Sequence, residues 1–181
     1  MPIASEHLRY VSLLAVFTLA YVLTGMVGLF IQTGHEGITP IWPPSGIALY
    51  AFLRFGPRMW PLVVSSIAIL GWQHNIPLLS MIFAATGNTC EALLGLQLSR
   101  RFGIEFGKRL RDTWLFLLLP VLVAPLAGAS IGSLGMVLGG AADWQALPFM
   151  WLMWWLGDAC GILLLSLIHI SETTRQESRS R

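Results

Sequence analysis

Three side chains stand where an apolar chain has least use for them. Asn88 and Glu91 fall in Thr86-Gly87-Asn88-Thr89-Cys90-Glu91, and Asp158 falls in Gly157-Asp158-Ala159-Cys160-Gly161, each inside a long apolar run. A carboxylate at mid-bilayer costs at least about 2.5–3.5 kcal/mol on insertion scales, so a partner or a function must hold it there. Asn88 and Glu91 are three residues apart and share a helix face. Gly87 and Gly95 lie four residues either side of Glu91, and Gly157 and Gly161 frame Asp158. That small-xxx-small spacing lets helices approach closely. Two readings follow: a polar centre of Asn88, Glu91 and Asp158 that binds a ligand, an ion or a proton, or three side chains that hydrogen-bond neighbouring helices and only fix the packing. A glycine stripe, Gly128, Gly132, Gly135 and Gly139, keeps to one helix face and predicts tight helix packing.

The remaining polar residues carry weaker signals. His35, Glu36, His74 and Asp143 fall in loops. They could form a metal site or a pH sensor, but no ligand spacing supports one, and they read as scattered solvated residues. Cys90 and Cys160 form neither a disulfide framework nor a zinc spacing, and read as small buried hydrophobes. No phosphate-cradling glycine loop, nucleophile elbow or paired-histidine metalloprotease motif is present in the sequence. The loops are too short to fold into a catalytic domain. The expectation is a protein that is not an enzyme and uses no metal or cofactor.

The elements that must position these groups follow from composition. Hydrophobic residues make up 55% of the chain and charged residues 11%, against roughly 25% charged in soluble domains. The mean hydropathy is +0.70. So much apolar surface cannot be hidden in a core of 181 residues, and the surplus predicts contact with lipid. A net charge of +2 gives no case for nucleic acid. The fold class expected is an all-α polytopic bundle of about six helices, over residues 10–31, 42–54, 59–73, 77–98, 113–138 and 148–165. The second and third are short enough that full crossing is an open question. Pro120 and Pro125 predict kinks in the fifth. The first run is too long for a cleaved signal and no small-residue cleavage site follows it.

Charge fixes an expected orientation. With the N-terminus in the cytoplasm, Arg9, Arg54, Arg58, Arg100, Arg101, Lys108, Arg109, Arg111, Arg175, Arg179 and Arg181 all fall inside, and the outer loops carry no basic residue. Trp42, Trp60, Trp72, Trp114, Trp144 and Trp151 fall near predicted helix ends, where indoles favour the interface. Trp154 and Trp155 sit deeper.

Three stretches together resemble a known family. Trp42-Pro43-Pro44-Ser45-Gly46 is followed by Phe55-Gly56-Pro57-Arg58-Met59-Trp60-Pro61, then by Asn88-x-x-Glu91-Ala92, then by Trp155-Leu156-Gly157-Asp158-Ala159-Cys160-Gly161. This order is similar to the first family of bacterial membrane-associated sensor (MASE) domains, with Trp42, Pro43, Pro44, Gly46, Arg58, Trp60, Pro61, Gly157 and Gly161 at motif positions. The resemblance covers residues 8–164. It implies a sensory module of the bacterial inner membrane, normally fused to a diguanylate cyclase, a cyclic-di-GMP phosphodiesterase or a histidine kinase, and dimeric in the intact protein because such outputs work as dimers. It names no signal. The family domain is longer, with about eight helices. Residues 1–164 accordingly read as an incomplete sensor domain. Residues 165–181 read as a non-native or disordered tail, because Leu165-Ser166-Leu167-Ile168-His169-Ile170-Ser171 resembles a translated transposon-end sequencing adapter. The expected partners are the bilayer, a second copy and a cytoplasmic output domain in cis, with no nucleic acid. A small-molecule or ion-coupled carrier is the alternative, since mid-membrane polar groups and broken helices also mark transporters, although the two halves share no repeated motif. A ligand-free structural partner is a third.

Overall fold

The computed structural model describes residues 2–31, 41–105 and 109–179. Among them all regular structure is helical. Helix α1 spans Pro2–Phe30, α2 Pro43–Phe55, α3 Trp60–Gln73 and α4 Leu78–Arg101. Helix α5 runs Leu110–Leu138 and α6 Leu147–Arg179. Four stretches are long and apolar enough to cross a membrane: Ser5–Phe30, Leu78–Arg101, Leu110–Leu138 and Trp144–Leu164. Helices α2 and α3 hold 13 and 14 residues, which at 1.5 Å per residue is about 20 Å against a hydrocarbon core of about 30 Å. The chain is a multi-pass membrane protein in which α3 keeps Trp60, Val64, Ile69 and Trp72 exposed. Residues 44–49, 51 and 52 of α2 are all buried, while Tyr50 and Leu53 leave one edge of it exposed.

The described arginines of the loops gather at one end. Gly56 bends the α2–α3 turn with a positive φ of 85°, a conformation that favours glycine. There Arg58 donates from Nε to the Phe55 carbonyl at 3.1 Å and sets its guanidinium 5.8 Å from the Tyr10 ring centroid. The Tyr10 hydroxyl donates to the Arg58 carbonyl at 2.8 Å, tying the start of α1 to this turn. At the opposite end lie the α3–α4 turn and the α5–α6 connection. Large apolar side chains such as Phe30, Leu78 and Leu110 are exposed, as are Trp60, Trp72, Trp114 and Trp144. This is the outer apolar surface the composition demands, with indoles near the helix ends.

Helix α5 is broken by design of its sequence. Pro120 has no N–H and cannot continue an α-helical ladder. The chain answers with a π-helical segment, Leu117–Val123, in which the Ala124 N–H reaches back to the Leu119 carbonyl at 2.9 Å. Wide turns of this kind accommodate an irregular residue inside a helix. The Leu122 carbonyl accepts the Trp155 indole N–H at 2.8 Å, so Trp155, set deep in α6, has a structural task.

Beyond the break, α5 lies against α4 with almost no side chain between them. A Cβ on Gly87 would meet the Gly128 carbonyl oxygen at 3.0 Å and the Gly132 nitrogen at 3.1 Å. The Ser80 hydroxyl donates to the Gly135 carbonyl at 3.1 Å. Backbones this close need small residues on both faces.

Candidate functional site

Helix α2 begins inside the bundle. Its first turn carries Pro43 and Pro44, which lack N–H groups and so leave no buried donor unpaired there. The Trp42 N–H donates to the Gly157 carbonyl of α6 at 2.8 Å. A Cβ on Gly161 would strike the backbone of Trp42 and Pro43, so glycine at this position is what admits the start of α2. One turn on, the Ser45 hydroxyl donates to Asp158 Oδ1 at 2.6 Å. Gly157 lies eleven residues beyond Ala146, a depth of about 16 Å along the helix. The sequence places Trp42 at the membrane interface; the structure places it half-buried at mid-depth, because its backbone is needed against α6.

Helix α4 brings the second carboxyl. Glu91 lies beside Asp158. The space for both comes from α5: a Cβ on Gly128 would collide with Glu91 Oε2 and stand 3.3 Å from Asp158 Oδ2. Gly128 therefore does more than bring helices together, whereas a Cβ on Gly132 would meet the Trp154 ring, on Gly135 Phe83, and on Gly139 Ser80. Asn88, one turn before Glu91, donates from Nδ2 to the Ala84 carbonyl at 2.8 Å. The Trp154 indole, one turn before Asp158, lies alongside that carboxyl. The Tyr21 hydroxyl of α1 is fully buried within electrostatic range of both acids.

The centre gathers polar atoms without partners. Asn88, Glu91 and Asp158 are 3%, 3% and 0% exposed. Asn88 Oδ1, both oxygens of Glu91, Asp158 Oδ2 and the Tyr21 hydroxyl have no hydrogen-bond partner among the described residues. An unpaired buried polar group costs about 1–3 kcal/mol, so each member of the cluster calls for a partner. Two carboxyls, an amide and a hydroxyl offer coordination or hydrogen bonding. They offer no activated nucleophile.

A cavity of about 600 Å³ reaches this centre from the end opposite the arginines. Asn88, Gly157 and Asp158 lie in its depth, with Trp42 and Trp154 in its walls. His74, Asp143, Ala141 and Ala142 stand where the helices end, at its mouth. His74 and Asp143, read from sequence as scattered, thus border one opening. No group of three His, Cys, Asp or Glu residues able to hold a metal occurs among the described residues. His35 and Glu36 lie outside the described residues.

The motif positions divide into two groups. Trp42, Pro43, Pro44, Gly46, Gly157 and Gly161 converge where α2 meets α6. Arg58, Trp60 and Pro61 lie at the arginine-rich end and do not approach the acids. Ser45, Tyr21 and Trp154 were not singled out by the sequence as site residues. Ser45 lies in the quoted Trp-Pro-Pro-Ser-Gly stretch, and Trp154 precedes Asp158 by one helical turn; either spacing could have flagged them. Tyr21 is a lone phenol in an apolar helix and gives no comparable signal.

A family model described as MASE1 matches residues 12–180. No curated protein and no solved structure matches the chain.

Proposed function

Because the chain belongs to the MASE1 family, whose members are membrane sensory input domains, we propose that it is the input module of a bacterial signal-transduction protein seated in the inner membrane. The observation that carries this reading is the convergence of α2, α4 and α6 on a buried centre whose acceptors lack partners. Signal binding there would favour one packing of these helices over another. A ligand shifts such an equilibrium only by its differential affinity for the two arrangements. Asn88, Glu91 and Asp158 are the residues at which that difference would act, with Ser45 holding Asp158 in place. Helix α6 would carry the change to a cytoplasmic output domain in cis: a diguanylate cyclase, a cyclic-di-GMP phosphodiesterase or a histidine kinase. The intact protein would work as a homodimer.

The arginine-rich end would face the cytoplasm, as short basic loops do. The cavity then opens outward. A carrier would share the mid-membrane acids and the half-length α2; the described lining residues of the cavity lie toward one end, which favours a sensor. Glu91→Gln, placed in the protein carrying its output domain, should change cyclic-di-GMP production or autophosphorylation at unchanged membrane abundance. Unchanged output would overturn the polar centre as the sensing site. Flux of a solute into proteoliposomes would support the carrier instead.

A further inference from the structure

We propose that the cavity binds a small organic cation, an amine or ammonium compound with an apolar body, admitted past His74 and Asp143. The proposal rests on the sensory reading above and names the chemical class of the signal.

Volume gives the first constraint. About 600 Å³ falls within the roughly 300–1,000 Å³ of small-molecule sites and far exceeds what a bare metal ion fills. The walls give the second. Leu29, Ile67, Leu70, Met81, Met136 and Met150 line it, a surface that gains by covering an apolar body. A hydrated inorganic cation would leave these walls wet.

Polarity decides the sign. The acids lie at both ends of the path, Asp158 in the depth and Asp143 at the mouth, and no lysine or arginine is among the described lining residues. Glu91 stands beside Asp158 and adds a second carboxyl to this floor. An anion would be repelled. A neutral apolar guest would leave Asp158 Oδ2 and Asn88 Oδ1 buried without partners. A primary ammonium has three donors and no acceptor, the complement of this floor. Ser45 already occupies Asp158 Oδ1, and the other oxygen, without a partner, lies toward Gly128 and Glu91. Trp42 and Trp154 stand in the walls near that floor, and indole faces attract ammonium groups.

The test uses the full chain in lipid nanodiscs, with empty nanodiscs as blank, and three probes of one shape: phenethylamine, neutral 2-phenylethanol and anionic phenylacetate. Calorimetry should show saturable binding of the amine, with the other two at least about tenfold weaker, a difference of about 1.4 kcal/mol. Asp158→Asn should weaken the amine by tenfold or more and leave 2-phenylethanol unchanged. Should that variant not fold, Ala146→Trp at the half-buried mouth should abolish amine binding at an unchanged melting temperature. Equal or tighter binding of the alcohol or the acid, displacement of the amine by millimolar sodium chloride, or no saturable binding of any probe would each overturn the cationic assignment. If Glu91→Gln still alters output after such a result, the sensory reading stands and only the ligand class falls. If neither responds, both fall.

Discussion

At Gly128 a single hydrogen atom is the difference between a site and a clash. The residue faces Glu91 Oε2 and Asp158 Oδ2 directly. Gly128→Ala should therefore force the carboxyls apart, cost about 1–3 kcal/mol through overpacking, and abolish signal response. Gly103→Ala is the control. Gly103 has a positive φ of 59° but nothing within 4 Å of an added Cβ, so it should cost about 1 kcal/mol through backbone strain alone and leave response intact. Thermal melting in detergent and output assays separate the two. Ser45→Ala removes the donor to Asp158 Oδ1. It should destabilise by about 1–3 kcal/mol, the penalty of a newly unpaired buried acceptor; an unchanged melting temperature would count against that hydrogen bond. At this scale the sequence was half legible. Buried acids announce themselves by their cost in an apolar run. Ser45 and Tyr21 do not, because a hydroxyl in a membrane helix is cheap and usually bonds its own backbone, as Ser66 does to the Leu62 carbonyl.

Among the elements, α5 and α2 depart most from what hydropathy indicates. A kink was legible at Pro120; its form, a π-helical run of seven residues, was not, because a proline announces a broken ladder without saying how the backbone closes around it. Trp155→Phe removes the indole N–H that caps the Leu122 carbonyl. It should lower the melting temperature by a few degrees, matching a lost hydrogen bond of about 1 kcal/mol, and leave the α4–α5 glycine contact in place. Loss of that contact, read by crosslinking cysteines placed at Phe83 and Ile131, would show that the break and the glycine face are coupled. The shortness of α2 was legible from its bounding Trp-Pro-Pro and Gly-Pro pairs. Its starting depth was not, because no periodicity within a helix tells where in the bilayer it begins.

For the whole molecule, six helical runs and an apolar exterior followed from composition and run length, since lipid leaves few alternatives. Orientation rests on charge, and it makes a direct prediction. With Cys90 and Cys160 replaced by alanine, a cysteine at His74 should react with a membrane-impermeant maleimide in intact cells. One at Arg100 should react only after permeabilisation. The reverse pattern would invert the assignment and turn the cavity toward the cytoplasm. What the sequence could not convey is that its separate motifs close on one point, because that closure spans 113 residues between Ser45 and Asp158.

That separation has a consequence for how the protein is made. The ribosome delivers α2 long before it delivers the helix that receives it. At synthesis rates of about 5–20 residues per second, the Ser45 hydroxyl and the Trp42 amide wait roughly 6–23 s for Asp158 and Gly157. During that interval a 13-residue helix too short to anchor itself must be sheltered by α1 and α3 or by the insertion machinery. A nascent chain arrested before Asp158 should leave α2 open to protease, and one arrested well after it should not.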